Sequence, residues 1–229
     1  MTTYKISTPW PTPTPREPWA NTTLYLPLEN DAVDYSWKWY ATSWGSPSYT
    51  TSWTTINVAY FNGSYIDLSD FRITEDNTTI NVWAKSTSTQ TWQEIFDATD
   101  NGVYTSSTYF WYNWPWAVYN QYGMQHSQPS ASYGMAYTSW WPFQNEWKNI
   151  CVVMNTSWIK IYMNWVLQST SSNLSWRMVW TPNASIWWRK YWNQNFFRGY
   201  LSKFIWENKV WTDQEISDYY NQTKANYWL

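Results

Sequence analysis

A chain of 229 residues is long enough to bury a full core within one domain. Its 14 basic and 16 acidic residues nearly cancel, and no Lys/Arg run stands out, which excludes nucleic-acid binding through phosphate neutralisation. No stretch approaches the roughly 18 apolar residues of a membrane span, so no membrane insertion is expected.

The start, Met1-Thr2-Thr3-Tyr4-Lys5-Ile6, carries no apolar core of a signal peptide. Residues 1–20 read as a Pro/Thr-rich linker or arm, because Pro9, Pro11, Pro13, Pro15 and Pro18 hold the chain extended. The domain is expected over 21–229. Within it, short alternating or β-branched runs predict strands over 23–28, 56–61, 79–84, 94–97, 150–154, 159–163, 166–168 and 201–206. No βαβ alternation, heptad pattern or internal repeat interrupts them. The expected class is therefore all-β, a two-sheet antiparallel sandwich. Cys151 sits in the apolar run Ile150-Cys151-Val152-Val153-Met154 and reads as a buried thiol; a single cysteine excludes an intrachain disulfide. Near the end, Thr212-Asp213-Gln214-Glu215 is a capping box that predicts one short C-terminal helix. Ile216, Tyr219 and Tyr220 would form its apolar face.

Aromatic rings stack on sugar faces while amides and hydroxyls bond sugar hydroxyls. On that chemistry Tyr109, Trp111, Tyr112 and Asn113, with Tyr119 and Asn120 nearby, are the candidate ligand-binding residues. The alternative for each ring is a core strand with alternate side chains buried. No catalytic residue is assigned. Glycoside hydrolysis needs two carboxyl groups about 5–10 Å apart, and no pair of acids two apart on one strand occurs here. His126, the only histidine, reads as a solvated loop residue.

Six segments, in order, resemble the laminin-G-like jelly roll of the concanavalin-A-like superfamily. Leu24-Tyr25-Leu26-Pro27-Leu28-Glu29-Asn30-Asp31, followed by Asp34-Tyr35-Ser36, resembles the family's opening strand and turn. Ala59-Tyr60-Phe61-Asn62-Gly63 resembles its F-N-G pair. Phe71-Arg72-Ile73 with Thr79-Ile80-Asn81-Val82-Trp83-Ala84-Lys85 resembles the next strand. Glu146-Trp147-Lys148-Asn149-Ile150, Ile159-Lys160-Ile161-Tyr162-Met163-Asn164, and Phe197-Arg198-Gly199-Tyr200-Leu201 through Ile216 complete the series.

The resemblance implies a jelly roll that acts as a non-catalytic binding or adhesion module. Its implied partners are glycans or a protein surface. The implied setting is extracellular, at a cell surface or on a virion, in a larger surface or fibre assembly. A purely structural decoration domain is the alternative, and a glycoside hydrolase is a third reading that the acid spacing disfavours. Relatives often hold Ca²⁺, which takes six to eight oxygen ligands. Asp34 matches an acid of the family's early turn, and Asp97, Asp100 and Asn101 form an oxygen-rich segment, so these four are the candidate Ca²⁺ ligands. Lys203 stands where relatives often carry an acid.

Tryptophan departs from the pattern systematically. The chain has 24 Trp and 6 Gly, against ordinary glycine usage of about 7%. Trp37 and Trp39 follow Asp34-Tyr35-Ser36 where the family places glycine. Trp165 sits in the two-residue Asn164-Trp165 link, where a type I′ turn needs positive φ at both positions. Trp53, Trp158, Trp188 and Trp192 also occupy turn-like contexts. The expectation is that these seven are glycines in the living organism, encoded by a UGA codon that another translation table reads as Trp. Trp83, Trp147, Trp206 and Trp211 fit their places as tryptophan.

Overall fold

The computed structural model describes residues 21–36, 47–68, 71, 77–90, 93–99, 107–112, 121–128, 131–138, 144–172, 184–186 and 196–229. In chain order the strands are β1 (Thr22–Leu26), β2 (Ser48–Thr50), β3 (Val58–Asn62), β4 (Ile66–Leu68), β5 (Thr78–Ser86) and β6 (Gln93–Thr99). They continue with β7 (Ser107–Tyr112), β8 (Tyr122–Gln128), β9 (Ala131–Tyr137) and β10 (Lys148–Met154). The last are β11 (Trp158–Met163), β12 (Val166–Ser172), β13 (Ala184–Ile186) and β14 (Arg198–Glu207). A helix, α1 (Asp213–Thr223), and a 3-10 turn at Lys224–Tyr227 close the chain.

The strands form two antiparallel sheets, as expected for a jelly-roll sandwich. The larger runs β12-β11-β10-β5-β14-β3-β2, with β1 also paired to β14. The smaller runs β4-β13-β6-β7-β8-β9. Period-two alternation on β5 and β10 sends Ile80, Val82, Ala84, Ile150 and Val152 into the space between the sheets. There they meet Phe96, Phe110, Tyr112 and Met124 from the smaller sheet, all buried. Phe96 stacks on Phe204 at 6.0 Å and lies 5.0 Å from Trp206, so aromatic contacts bridge β6 and β14.

The alternate residues of the larger sheet face a second core. Val58, Trp83, Cys151, Val153 and Tyr162 pack beneath Ile216, Tyr219 and Tyr227 of the C-terminal segment. All nine residues of β5 are buried, because one face is covered by the smaller sheet and the other by this segment. Cys151 is fully buried and free, and burial pushes its thiol well above the ordinary range.

Two local features follow the sequence closely. Asn164 and Trp165 link β11 to β12 with φ values of 49° and 66°, the paired positive dihedrals of a I′-type turn. Asn164 also fastens this hairpin to β10: its amide donates to the Asn149 carbonyl at 2.8 Å, and its Oδ1 accepts from the Asn149 amide at 3.0 Å. At α1, the Glu215 amide donates to Thr212 Oγ1 (3.2 Å) and the Thr212 amide donates to Glu215 Oε2 (2.9 Å), a complete capping box.

Other strands were not foreseen. His126 lies on β8, opposite Gly134 of β9 and Thr108 of β7, rather than in a loop. The polar, glycine-containing stretches of β8 and β9 carry little strand propensity, and cross-strand pairing overrides it.

The capping box carries a pH dependence. Burial raises the Glu215 pKa, but hydrogen bonds from Lys209 and Thr212, and the Lys209 charge, outweigh it and hold the carboxyl below its usual range. A carboxylate with a depressed folded pKa stabilises the fold above its unfolded pKa of about 4.3, and that contribution is lost as pH falls through the folded value. The unsubstituted chain should therefore lose more thermal stability between about pH 5 and pH 3 than Glu215→Gln does. Parallel pH profiles of Tm for the two chains would contradict this role.

Candidate functional site

The C-terminal segment covers only part of the larger sheet's outer face. Its anchor is Trp83, whose ring stacks on Tyr227 at 4.0 Å and on Tyr220 at 5.7 Å, while Nε1 donates to Thr223 Oγ1 at 3.1 Å. Tyr227 donates its hydroxyl to Ser202 Oγ at 2.9 Å. Ser202 pairs with Trp83 across β14 and β5. Two residues further along each strand, the same outward face carries Tyr200 and Lys85, again directly paired. Tyr60 of β3 pairs with Tyr200 on the other side.

These side chains form a transverse row. The Tyr60 and Tyr200 rings lie 4.8 Å apart at 37°, and both are half-buried. The Lys85 ammonium lies 5.5 Å from the centre of the Tyr200 ring, within cation–π range. Trp147, immediately before β10, completes the row. Its ring is 6.3 Å from Tyr200 and 4.9 Å from Tyr227, and its Nε1 donates to the Ser52 carbonyl at 3.3 Å. Gly199 makes the close pairing possible here, since a Cβ at that position would lie 2.2 Å from the Lys85 carbonyl oxygen.

A groove of about 590 Å³ opens over Lys85 and Trp147, with Asn145, Lys148 and Tyr227 also lining it. Trp53 and Trp228, 79% and 74% exposed, stand at its edge. Lys148 is paired with Glu146 at 2.8 Å. Lys85 has no carboxylate partner among the described residues, although it is only 7% exposed. Burial lowers its pKa from the ordinary lysine value. The groove thus combines aromatic faces, an amide, the Glu146 carboxylate, the chain's last residue and the ammonium groups of Lys85 and Lys148, hydrogen-bonding groups that can hold a polar ring.

The residues singled out from sequence lie elsewhere. Trp111 and Tyr112 are fully buried, as in the alternative of a core strand with its rings inside. Tyr112 faces the space between the sheets, 4.8 Å from Tyr122. Trp111 points the opposite way from β7, its ring lying across Gly123 of β8. The backbone of Tyr109 pairs with Asp97 and Gln125; Asn113, Tyr119 and Asn120 lie outside the described residues.

Asp34, a candidate Ca²⁺ ligand, is buried at the turn after β1. Its Oδ1 accepts from the amides of Tyr25 (3.1 Å) and Ser36 (2.8 Å), and the Ser36 hydroxyl lies 2.8 Å from Oδ2. The buried carboxylate therefore closes the turn after β1 and has both oxygens engaged. Asp97 is buried within β6, and Asp100 and Asn101 lie outside the described residues. Among the described residues no group of three or more His, Cys, Asp or Glu side chains is placed to hold a metal. Lys203 pairs with Glu29 at 2.7 Å.

Sequence reasoning passed over Tyr60 because it fell inside a segment read only as a strand, and over Lys85 and Tyr200 because they lie one residue outside the strands expected over 79–84 and 201–206. The available signal was spacing: Lys85 stands two residues beyond Trp83, on the same face of β5.

Comparison with known proteins agrees with this architecture. A laminin-G-type family model, described as the concanavalin A-like lectin/glucanases superfamily, matches residues 61–217. No curated protein is significantly similar in sequence. Among solved structures, domain 4 of AbnA, a GH43 extracellular arabinanase from Geobacillus stearothermophilus in complex with arabinotriose, superposes with a TM-score of 0.68 at 14% identity, covering 86% of this chain and 97% of that one. The botulinum neurotoxin serotype D binding domain gives 0.67 at 13% identity, covering 88% and 52%. The serotype D ligand binding domain in complex with N-acetylneuraminic acid gives 0.63 at 14%, covering 88% and 51%. The chain spans about half the length of these toxin domains. Two antiparallel sheets, a capped C-terminal helix and a family match over most of the domain together place this chain in the concanavalin A-like lectin/glucanases superfamily.

Proposed function

We propose that the chain is a non-catalytic module that binds glycans through the groove over Lys85 and Trp147 and the Tyr60–Tyr200 pair beside it, in an extracellular setting. The observation that carries this reading is the cross-strand row itself, where half-buried tyrosine rings meet a buried ammonium beside open space. Aromatic faces bury the apolar side of a sugar, and neighbouring donors satisfy its hydroxyls. Support comes also from two structural neighbours, one an extracellular arabinanase domain holding arabinotriose and the other a toxin domain holding N-acetylneuraminic acid.

The row uses none of the tryptophans expected to be glycine. For those, we propose that UGA recoding holds, and the backbone supports it at two described positions. Trp53 and Trp165 have φ of 55° and 66° and are 79% and 50% exposed. A bulky side chain in the left-handed region costs about 1–2 kcal/mol, and an exposed ring recovers little of it. Trp83, Trp111, Trp147, Trp206 and Trp211 are buried, and none has positive φ. Trp158 opens β11 without a positive φ, so its case rests on the sequence alone. Trp37, Trp39, Trp188 and Trp192 lie outside the described residues.

On an array of immobilised neutral and acidic oligosaccharides, the chain should retain a defined subset. Tyr200→Ala should weaken retention by about three- to tenfold, the value of one aromatic contact. Undiminished retention by that variant, or retention of no glycan, would count against the reading. Peptide mass spectrometry of the protein from its native source should find glycine at 53 and 165 but tryptophan at 83 and 147. Tryptophan at all four positions would end the recoding proposal.

A further inference from the structure

We infer that Lys85 selects acidic sugars, its ammonium taking the carboxylate of a uronic- or sialic-type residue seated in the groove. This rests on the glycan reading above and narrows it to a ligand class.

The other described lysines have partners or stand partly in solvent. Lys148 pairs with Glu146 and Lys203 with Glu29, at 2.8 and 2.7 Å. Lys209 pairs with Glu215, and Lys224 donates to Asn221 Oδ1 at 2.9 Å. Lys160 lies over the Trp158 ring at 4.9 Å, with its side chain partly in solvent. Lys85 is the one buried lysine among the described residues, and the Tyr200 ring is its only recorded partner. Partial desolvation of an ammonium without an acceptor is unfavourable, and a ring face offsets part of that cost. Lys85 lines the groove, where a ligand can reach its remaining donors.

The surroundings define what can enter. Glu146 is engaged by Lys148, so Lys85 is the lysine of the lining without a carboxylate partner among the described residues, and Leu229, the last residue, also lines the groove. The groove volume of about 590 Å³ lies within the range of small-molecule sites. The adjoining Tyr60 and Tyr200 rings favour a ligand whose anionic group is carried on a ring with an apolar face. A sugar carboxylate meets both requirements: its oxygens accept from the ammonium, and the pyranose face lies along the tyrosines. Burial lowers the Lys85 pKa, and an arriving carboxylate would raise it again, which favours the charged pair.

Calorimetric titration with two matched pairs tests this: trigalacturonic acid against its methyl ester, and 3′-sialyllactose against lactose. The unsubstituted chain should bind the acidic member of at least one pair about tenfold or more tightly, as expected for a charge-assisted contact. Raised salt should narrow that difference. Lys85→Met should reduce the acid's affinity to that of its neutral counterpart, and Lys85→Arg should keep a preference for the acid. The acid–neutral comparison on the unsubstituted chain needs no variant, so a misfolded substitution leaves the test intact. Equal affinity for the acidic and neutral members of a bound pair overturns the Lys85 inference and leaves the glycan reading standing. Failure of all four probes to bind overturns the inference as well, and the array of immobilised glycans then decides the wider reading separately.

Discussion

The arrangement depends on how the outer face of the larger sheet is covered. A strand buried on both faces, as β5 is, needs a second layer, and the C-terminal segment supplies it through the Trp83–Tyr227 stack. The indole and phenol rings exclude water from β5, while Thr223 and Ser202 satisfy the polar ends of Trp83 and Tyr227. The capping box starts α1 where its apolar side meets the sheet, and the Tyr162 hydroxyl donates to Asp213 Oδ1 at 2.7 Å to hold that end down. The cover seats on Trp83, and its last residues, Tyr227 to Leu229, border the groove at the next outward residue of β5, Lys85.

The same sheet explains why an ordinary surface position became a buried cation. Lys85 and Tyr200 are cross-strand partners, and Gly199 lets β14 approach the Lys85 carbonyl without a clashing Cβ. Trp147 closes the other side while anchored to Ser52. Lys85 therefore has its alkyl stem against rings and its charge toward the opening, the disposition long cationic side chains adopt at an apolar boundary. The contrast with Asp34 is instructive. That carboxylate is also buried, but amides and a hydroxyl surround it and it closes the turn after β1.

Much of the scaffold was legible in the sequence because its signals are local. Thr212 and Glu215 announced the helix start, Asn164-Trp165 marked a turn at positive φ, and alternating runs marked the central strands of the larger sheet. The smaller sheet was less legible. β8 and β9 are polar and glycine-containing, and their pairing partners, not their own propensities, make them strands. The site was hardest to read. Aromatic density drew attention to residues 109–113, where Trp111 and Tyr112 prove to be buried in opposite directions. Tyr60, Lys85 and Tyr200 come from three strands far apart in sequence, and only the register of the sheet aligns them. Tryptophan count was misleading for a related reason. Among the described tryptophans, the fully buried rings hold the cores, whereas Trp53, Trp165 and Trp228 are exposed at positive φ, where backbone geometry favours glycine.

The central claim is that ligands are held on the outer face of the larger sheet, beside the end of the C-terminal cover. The most direct measurement is amide chemical-shift mapping of the isotope-labelled chain during titration with a retained glycan. The account predicts that the largest changes centre on Lys85, Trp147 and Tyr200 and fade toward α1. Changes centred on β7 around Tyr109, with these three amides unmoved, would contradict it.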